Sequence, residues 1–331
     1  MQAELGVATL GGATMGTTWS VKAACAPRAD LHALHGIVQS ALDTVVAQMS
    51  HWRDDSDISR YNRSAAGSVH PLPAEFHTVL RCALEIAEAS DGAYDPTLGA
   101  LVDVWGFGPA QRPQRIPDAA TVNAACADVG WRRIVLEHAP PQLSQPGGVV
   151  LDLSAIAKGY GADLVAARLR THGIASALVE VGGELYGYGR KPDGEPWRVL
   201  VEAAAEDGDA ATAADAEDRA RVHVVALESL AVATSGDCWH AFEQDDERHS
   251  HTFDPRTGRP VHHAPAGVTV IADSAMRADA WATALTVMGA DAGHAFATQH
   301  GLAARFLLRD DDGLRERVTP RFVELSTVAD A

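Results

Sequence analysis

Val149-Val150-Leu151-Asp152-Leu153-Ser154-Ala155-Ile156-Ala157-Lys158-Gly159-Tyr160 opens the stretch of this chain that says most about its fold. Its first five residues read as a buried strand, with Asp152 near the end of it. The spacing then predicts a helix running to about Thr171, with Gly173 as its C-terminal stop. Residues 177–188 and 197–202 follow as strands, folded about a Gly182-Gly183 turn or bulge. Strands cluster here instead of alternating strictly with helices. An α+β fold is therefore expected, with mixed sheets and packed helices, rather than a doubly wound α/β sheet.

Towards the N-terminus, residues 5–24 read as a strand entering and leaving a Gly-rich turn over Gly11 to Thr18. Asp30 is a plausible cap for a helix reaching Met49, in which Leu34, Val38, Leu42 and Val45 recur at helical spacing. A polar loop from His51 to Asn62 separates it from a second helix over 74–90. After Ser90 the chain breaks into Asp91-Gly92-Ala93-Tyr94-Asp95-Pro96-Thr97, and 117–137 reads as a short helix and a strand. Towards the C-terminus come strands at 222–234, a structured turn over His251 to Gly258, a strand at 268–272 and a helix at 276–288. The Ala/Asp/Glu-rich run at 203–221 reads as a solvated surface insertion.

Bulk composition narrows the function. Hydrophobic residues make up 47% of 331, enough for a packed core. Acidic residues outnumber basic ones 44 to 27, a net charge of −17 that argues against nucleic acid as a partner. A polyanionic small ligand would meet the same repulsion, so its site needs a basic residue or a metal ion. Cys25, Cys82, Cys126 and Cys238 form neither a disulfide framework nor a zinc pattern, and Cys238 lacks a nucleophile's setting. The N-terminus as written carries no export signal or lipid-attachment cysteine, and no run of about 18 apolar residues occurs. A cytoplasmic chain that does not enter the membrane is the expectation, or a periplasmic one if a leader was removed.

Three segments carry chemistry. Asp279 and Thr283, four residues apart on an otherwise apolar helix, place a carboxylate and a hydroxyl on one face. Hard oxygen ligands suit Mg²⁺, although a helix aspartate and a threonine bonded to its own backbone explain the same pattern. Asp152 and Lys158 flank a strand-to-helix junction, where ligand contacts collect, yet an ordinary cap and a surface lysine would look alike. Ser235, His251 and Asp254 offer the groups of a metal-independent hydrolase, without a GxSxG elbow. Neither GxGxxG before a βαβ unit nor GxxxxGK[ST] is present.

Taken together, the sequence resembles the ApbE family of FAD:protein FMN transferases. The matching motifs are Met15 to Thr18, Trp52 with Asp57 to Asn62, Asp91 to Thr97, Asp152 to Tyr160, Thr234 to Asp237, His251 to Pro260 and Ala278 to Leu285. They occur in the family's order over roughly residues 8–310. The resemblance implies one domain over about 5–325, with a flavin site between two lobes. It implies Mg²⁺ held by Asp279, Thr283 and the Ala155 carbonyl. It also implies FAD contacts at Met15, Trp52, Ala93, Tyr94, Asp95, Asp152 and Lys158, with His251 and Thr252 closing over the flavin. The implied reaction splits the FAD pyrophosphate and moves FMN to a Thr or Ser hydroxyl of an acceptor protein, releasing AMP. His251 is the candidate for assisting deprotonation, beside Asp279 and Thr283 as catalytic residues. An FAD pyrophosphatase and a non-enzymatic flavin-binding module remain alternatives.

Overall fold

The computed structural model describes residues 5–201, 220–236, 241–244, 247–262, 265–310 and 313–329. Most of the 203–221 insertion, together with Asp237 and Cys238, lies outside the described residues.

The first hairpin is tighter than its glycines suggest. Strand Gly6–Thr14 pairs with strand Thr17–Cys25 from Thr14 opposite Thr17 outward, leaving Met15 and Gly16 alone in the turn. Both carry positive φ, 48° and 73°, the geometry whose twist matches the flanking strands. The Gly-rich turn expected over Gly11 to Thr18 is thus strand at both ends, because a two-residue turn closes the pair without further glycine.

That hairpin begins an eight-stranded sheet continued by Ala177–Val181, Glu184–Tyr188, Leu230–Gly236, Gly267–Ala272, Ala303–Asp310 and Gly313–Val318. The strands lie side by side in chain order, and every neighbouring pair is antiparallel. Alternation sorts their side chains onto two faces. Ala177, Val179, Val181, Ala231, Ala233, Val268 and Val270 join the main core, whereas Leu178, Val232 and Ile271 join a second cluster behind the sheet. The α+β expectation holds.

Helices surround the main core and the clusters beside it: α1 (Leu31–Met49), α2 (Asp57–Asn62), α3 (Ala74–Ala89), α4 (Gly99–Val104), α5 (Ala119–Cys126), α6 (Ser154–Thr171), α7 (Ala275–Met288), α8 (Ala290–Gln299) and α9 (Pro320–Leu325). Of these, α1, α3, α6 and α7 pack into it directly, and α9 sits behind the sheet with the strands Trp197–Val201 and His223–Leu227. Side-chain caps start several helices: Asp30 for α1, Ser56 for α2 and Ser274 for α7 each accept a bond from the third residue on.

Two further sequence expectations change. The polar segment after His51 contains α2, because Ser56 caps it and Ile58 and Tyr61 turn into the core. The apolar run 149–153 is not a strand. Val150 makes only an isolated parallel bridge to Leu98, and the Asn62 side-chain amide takes both the Leu151 N–H (2.8 Å) and its carbonyl (2.9 Å). A side chain here does what a neighbouring strand would have done. A separate aromatic cluster gathers Trp105, Leu101, Val122, Phe107, Phe242 and Phe253, tied by the Trp105 indole donating to the Gly258 carbonyl at 3.1 Å.

Helices α6 and α7 are locked end to side. The Asp163 carboxylate on α6 accepts from the Ala275 (2.9 Å) and Met276 (2.9 Å) amides at the start of α7, where helix donors lack internal partners. Burial nevertheless pushes the Asp163 carboxyl up to about 6, outweighing those two donors. A carboxyl raised above its unfolded value of 3.8 contributes stability that is full below that value and lost as pH rises through about 6. The melting temperature of Asp163→Asn, measured relative to wild type, is therefore expected to rise between about pH 4 and about pH 7. A flat difference across that window refutes the buried-carboxylate account.

Candidate functional site

The site is built where α6 meets α7. Ala155 departs from helical geometry (φ −90°, ψ 20°), so the first turn of α6 is broken at that carbonyl. One turn on, the Gly159 N–H, which in a regular helix would point at the Ala155 oxygen, donates to Asp279 Oδ2 on α7 at 3.0 Å. Gly159 is required for that approach. A Cβ there would lie 2.2 Å from the Ala275 carbonyl oxygen.

Asp279 is 4% exposed, and Thr283 follows one turn later on the same helix. The Thr283 hydroxyl meets the Ser235 hydroxyl at 2.9 Å, which ties α7 to the central strand Leu230–Gly236. Lys158 contacts Glu184 directly and brings its ammonium to 3.9 Å from Asp279 Oδ1. Glu184 heads the strand after the Gly182-Gly183 turn and is itself buried.

Two buried carboxylates thus share one ammonium. Burial raises the Asp279 carboxyl above its ordinary value, against Lys158 and the Gly159 amide. Burial and then the Asp279 charge raise Glu184. For Lys158 burial works against the charge, but Asp279 and Glu184 outweigh it and hold the ammonium above its usual range. The excess negative charge and the hard donors fit a divalent cation: the Asp279 carboxylate, the Thr283 hydroxyl and the carbonyl at the Ala155 break. Among the described residues no cluster of three His, Cys, Asp or Glu side chains is placed to hold a metal.

The remaining predicted residues divide by environment. Met15 sits in the first turn, its methyl 3.3 Å from where a Gly161 Cβ would lie, so it packs on α6. Of the two aromatic candidates for packing on a ligand ring, Trp52 is 57% exposed whereas Tyr94 is 3% exposed. The Tyr94 hydroxyl has no hydrogen-bond partner among the described residues. Ala93 is buried against Val261, just after the short strand Arg259–Pro260, and Val287 of α7. Asp95 spends its side chain inside the fold: Oδ1 accepts from Thr97 N (2.8 Å) and Oγ1 (2.6 Å), and Oδ2 from Trp131 N (3.1 Å).

Asp152 Oδ1 accepts from Ser154 N at 2.8 Å and lines a cavity of about 340 Å³ with His51, Ser59, Asn62 and Arg63. His251 lies by the Phe107 ring, 6.4 Å between centroids, and Thr252 accepts from Val261 N at 3.0 Å through its carbonyl. Both stand beside the aromatic cluster. The hydrolase triad gains nothing: Ser235 is bonded to Thr283, and Arg256 spans both Asp254 oxygens at 2.8 Å each. Sequence reading missed Glu184 and His51. The available signal for Glu184 was a carboxylate opening an apolar strand, which is costly to bury without a partner.

Residues 15–306 match the ApbE family. The chain belongs to the ApbE family. Its relatives within that family run nearly full length. The FAD:protein FMN transferase of Vibrio cholerae is 37% identical over 314 residues, covering 95% of this chain and 91% of that protein. The Escherichia coli K12 protein of the same name is 33% identical over 319 residues, covering 96% and 88%. In three dimensions, the flavinyl transferase ApbE of Pseudomonas stutzeri superposes with a TM-score of 0.87 at 38% identity over 98% of each chain. The flavin transferase ApbE from Vibrio cholerae gives 0.85 at 35%, over 97% of this chain and 99% of that one. The ApbE motifs read from the sequence therefore identified the family, and the ApbE-like α+β fold is the one observed. No helix among the described residues is long and apolar enough to cross a membrane.

Lys158→Met tests the charge balance of the junction. Removing the ammonium leaves Asp279 and Glu184 to repel each other, a cost that grows as pH rises through their elevated values. Urea unfolding is expected to show a loss of ~2–3 kcal/mol at about pH 8, shrinking towards about pH 5.5 as the carboxyls take up protons. A loss independent of pH contradicts the shared-ammonium account.

Proposed function

We propose that this chain is an FAD:protein FMN transferase that depends on Mg²⁺. The single observation that carries the chemical part is the α6–α7 junction, where the Gly159 amide steers the Asp279 carboxylate towards the broken turn at Ala155. Nearly full-length likeness to relatives of that name supports the activity class.

Each residue then has a task. Asp279, Thr283 and the Ala155 carbonyl would hold the metal. Bound there, Mg²⁺ would screen the pyrophosphate and stabilise charge on departing AMP. Lys158 fixes a positive charge beside Asp279 in a chain whose net charge of −17 otherwise repels a dinucleotide. Glu184 anchors that ammonium by direct contact. Trp52, exposed on its loop, offers a ring face for stacking, while Met15 presents a thioether from the first turn. Asp152 supplies a carboxylate to the lining of the 340 Å³ cavity. The acceptor is a threonine or serine hydroxyl of another protein, which attacks the FMN phosphorus as the bond to AMP breaks. His251 would receive the hydroxyl proton.

Incubation with FAD, Mg²⁺ and a candidate acceptor protein is expected to add one FMN to that acceptor, read by mass spectrometry. Asp279→Ala should lower the rate on the order of 10²-fold or more with an unchanged circular-dichroism spectrum. EDTA should arrest the wild-type reaction and excess Mg²⁺ restore it. Full activity in Asp279→Ala refutes the metal assignment. Free FMN without acceptor labelling would make the protein a pyrophosphatase instead.

A further inference from the structure

His51 stands outside every role assigned so far, yet it touches two of them. Its Nδ1 lies 3.4 Å from Asp152 Oδ1, with both side chains nearly buried at 9% and 11% exposure. Its ring packs beside Trp52, 5.7 Å between centroids at 34°. The segment that carries it is stitched down. Ser56 Oγ donates towards the Ser50 (2.7 Å) and Arg53 (2.9 Å) carbonyls, and the Asn62 amide is paired both ways with Leu151, next to Asp152. Asp152 makes its two contacts, with Ser154 N and His51, through Oδ1. Among the described residues Oδ2 has no partner, in a partly buried carboxylate that lines the cavity. A carboxylate oxygen of a cavity-lining residue left in that state is an open acceptor for a ligand donor.

We propose that His51 is a positioning residue for the dinucleotide. Its Nδ1–H steers Asp152 so that Oδ2 accepts from a ligand hydroxyl of the sugar or polyol class, while its ring backs Trp52. This inference rests on the FAD reading above. A contact of 3.4 Å is longer than a good hydrogen bond, so His51 acts by electrostatic orientation in a low-dielectric pocket and tightens when the cavity fills. Because it orients a binding group and stays away from the reacting phosphorus, it governs affinity more than turnover.

The test compares His51→Phe, which keeps a ring beside Trp52 but loses the donor, with His51→Asn, whose amide nitrogen overlies Nδ1. Steady-state FMN transfer with FAD as the varied substrate is measured for both, alongside Asp152→Asn and the His51→Phe/Asp152→Asn double variant. His51→Phe is expected to raise the KM for FAD on the order of tenfold while kcat stays within about threefold, and His51→Asn to recover most of that loss. The double variant should be no worse than Asp152→Asn alone, since the two residues act on one contact. An unchanged KM in His51→Phe, or strictly additive effects, overturns the inference while leaving the transferase reading intact. A lowered melting temperature with unchanged KM in the folded protein also overturns it, by making His51 merely structural. A wild-type chain that neither binds nor cleaves FAD removes the transferase reading, and this inference with it.

Discussion

A buried ion cluster, Glu184–Lys158–Asp279, is the constraint on which the rest of this structure turns. Burying two carboxylates would be prohibitive without compensation, and each is compensated by a group from a different part of the chain. Lys158 serves both, and the Gly159 amide serves Asp279 from the adjacent position. The cluster therefore forms only if α6, α7 and the Gly182-Gly183 hairpin meet at one depth. Gly159 makes that depth reachable, because any side chain there would run into the backbone at the start of α7. The Asp163 carboxylate then fixes the same helix end from one turn further along.

The layers around this point follow from the sheet. Eight antiparallel strands in chain order leave long excursions between neighbours, and those excursions build everything else. Between Cys25 and Ala177 the chain makes α1 to α6, of which α1, α2, α3 and α6 join the core on one face of the sheet and α4 and α5 join the aromatic cluster. Between Tyr188 and Leu230 it makes the strands that cover the other face, and between Gly236 and Gly267 the hairpins of the aromatic region. The candidate residues consequently converge from several parts of the chain: Met15 from the first turn, Trp52, Asp152 and Lys158 from the excursion between Cys25 and Ala177, His251 and Thr252 from the one between Gly236 and Gly267, and Asp279 and Thr283 from α7. Charge is concentrated where the fold can hold it. A strongly acidic chain keeps a fixed ammonium at the junction proposed to meet a polyanion.

Much of this was legible before any coordinates. Helical periodicity and caps gave α1, α3, α6 and α7 to within about two residues, as expected for long amphipathic or capped segments. The i,i+4 pair Asp279/Thr283 and the Asp152/Lys158 junction stood out because polar groups in apolar runs are costly. Short-range rules failed where a distant group replaced a local one. The apolar run at 149–153 lacks a strand partner because the Asn62 amide satisfies Leu151. The segment after His51 hides α2, since six residues are too few for periodicity to show.

By itself the sequence determined the α+β class, the ApbE family and the residue types able to hold a hard cation, because caps, periodicity and motif order are properties of neighbours along the chain. Only the tertiary structure decided that Glu184 completes the charge balance, that Asp95 is spent inside the fold, and that His51 reaches Asp152. Those pairings join residues far apart in sequence, and a buried charge chooses its partner by which groups folding brings within a few ångströms. No local pattern records that choice.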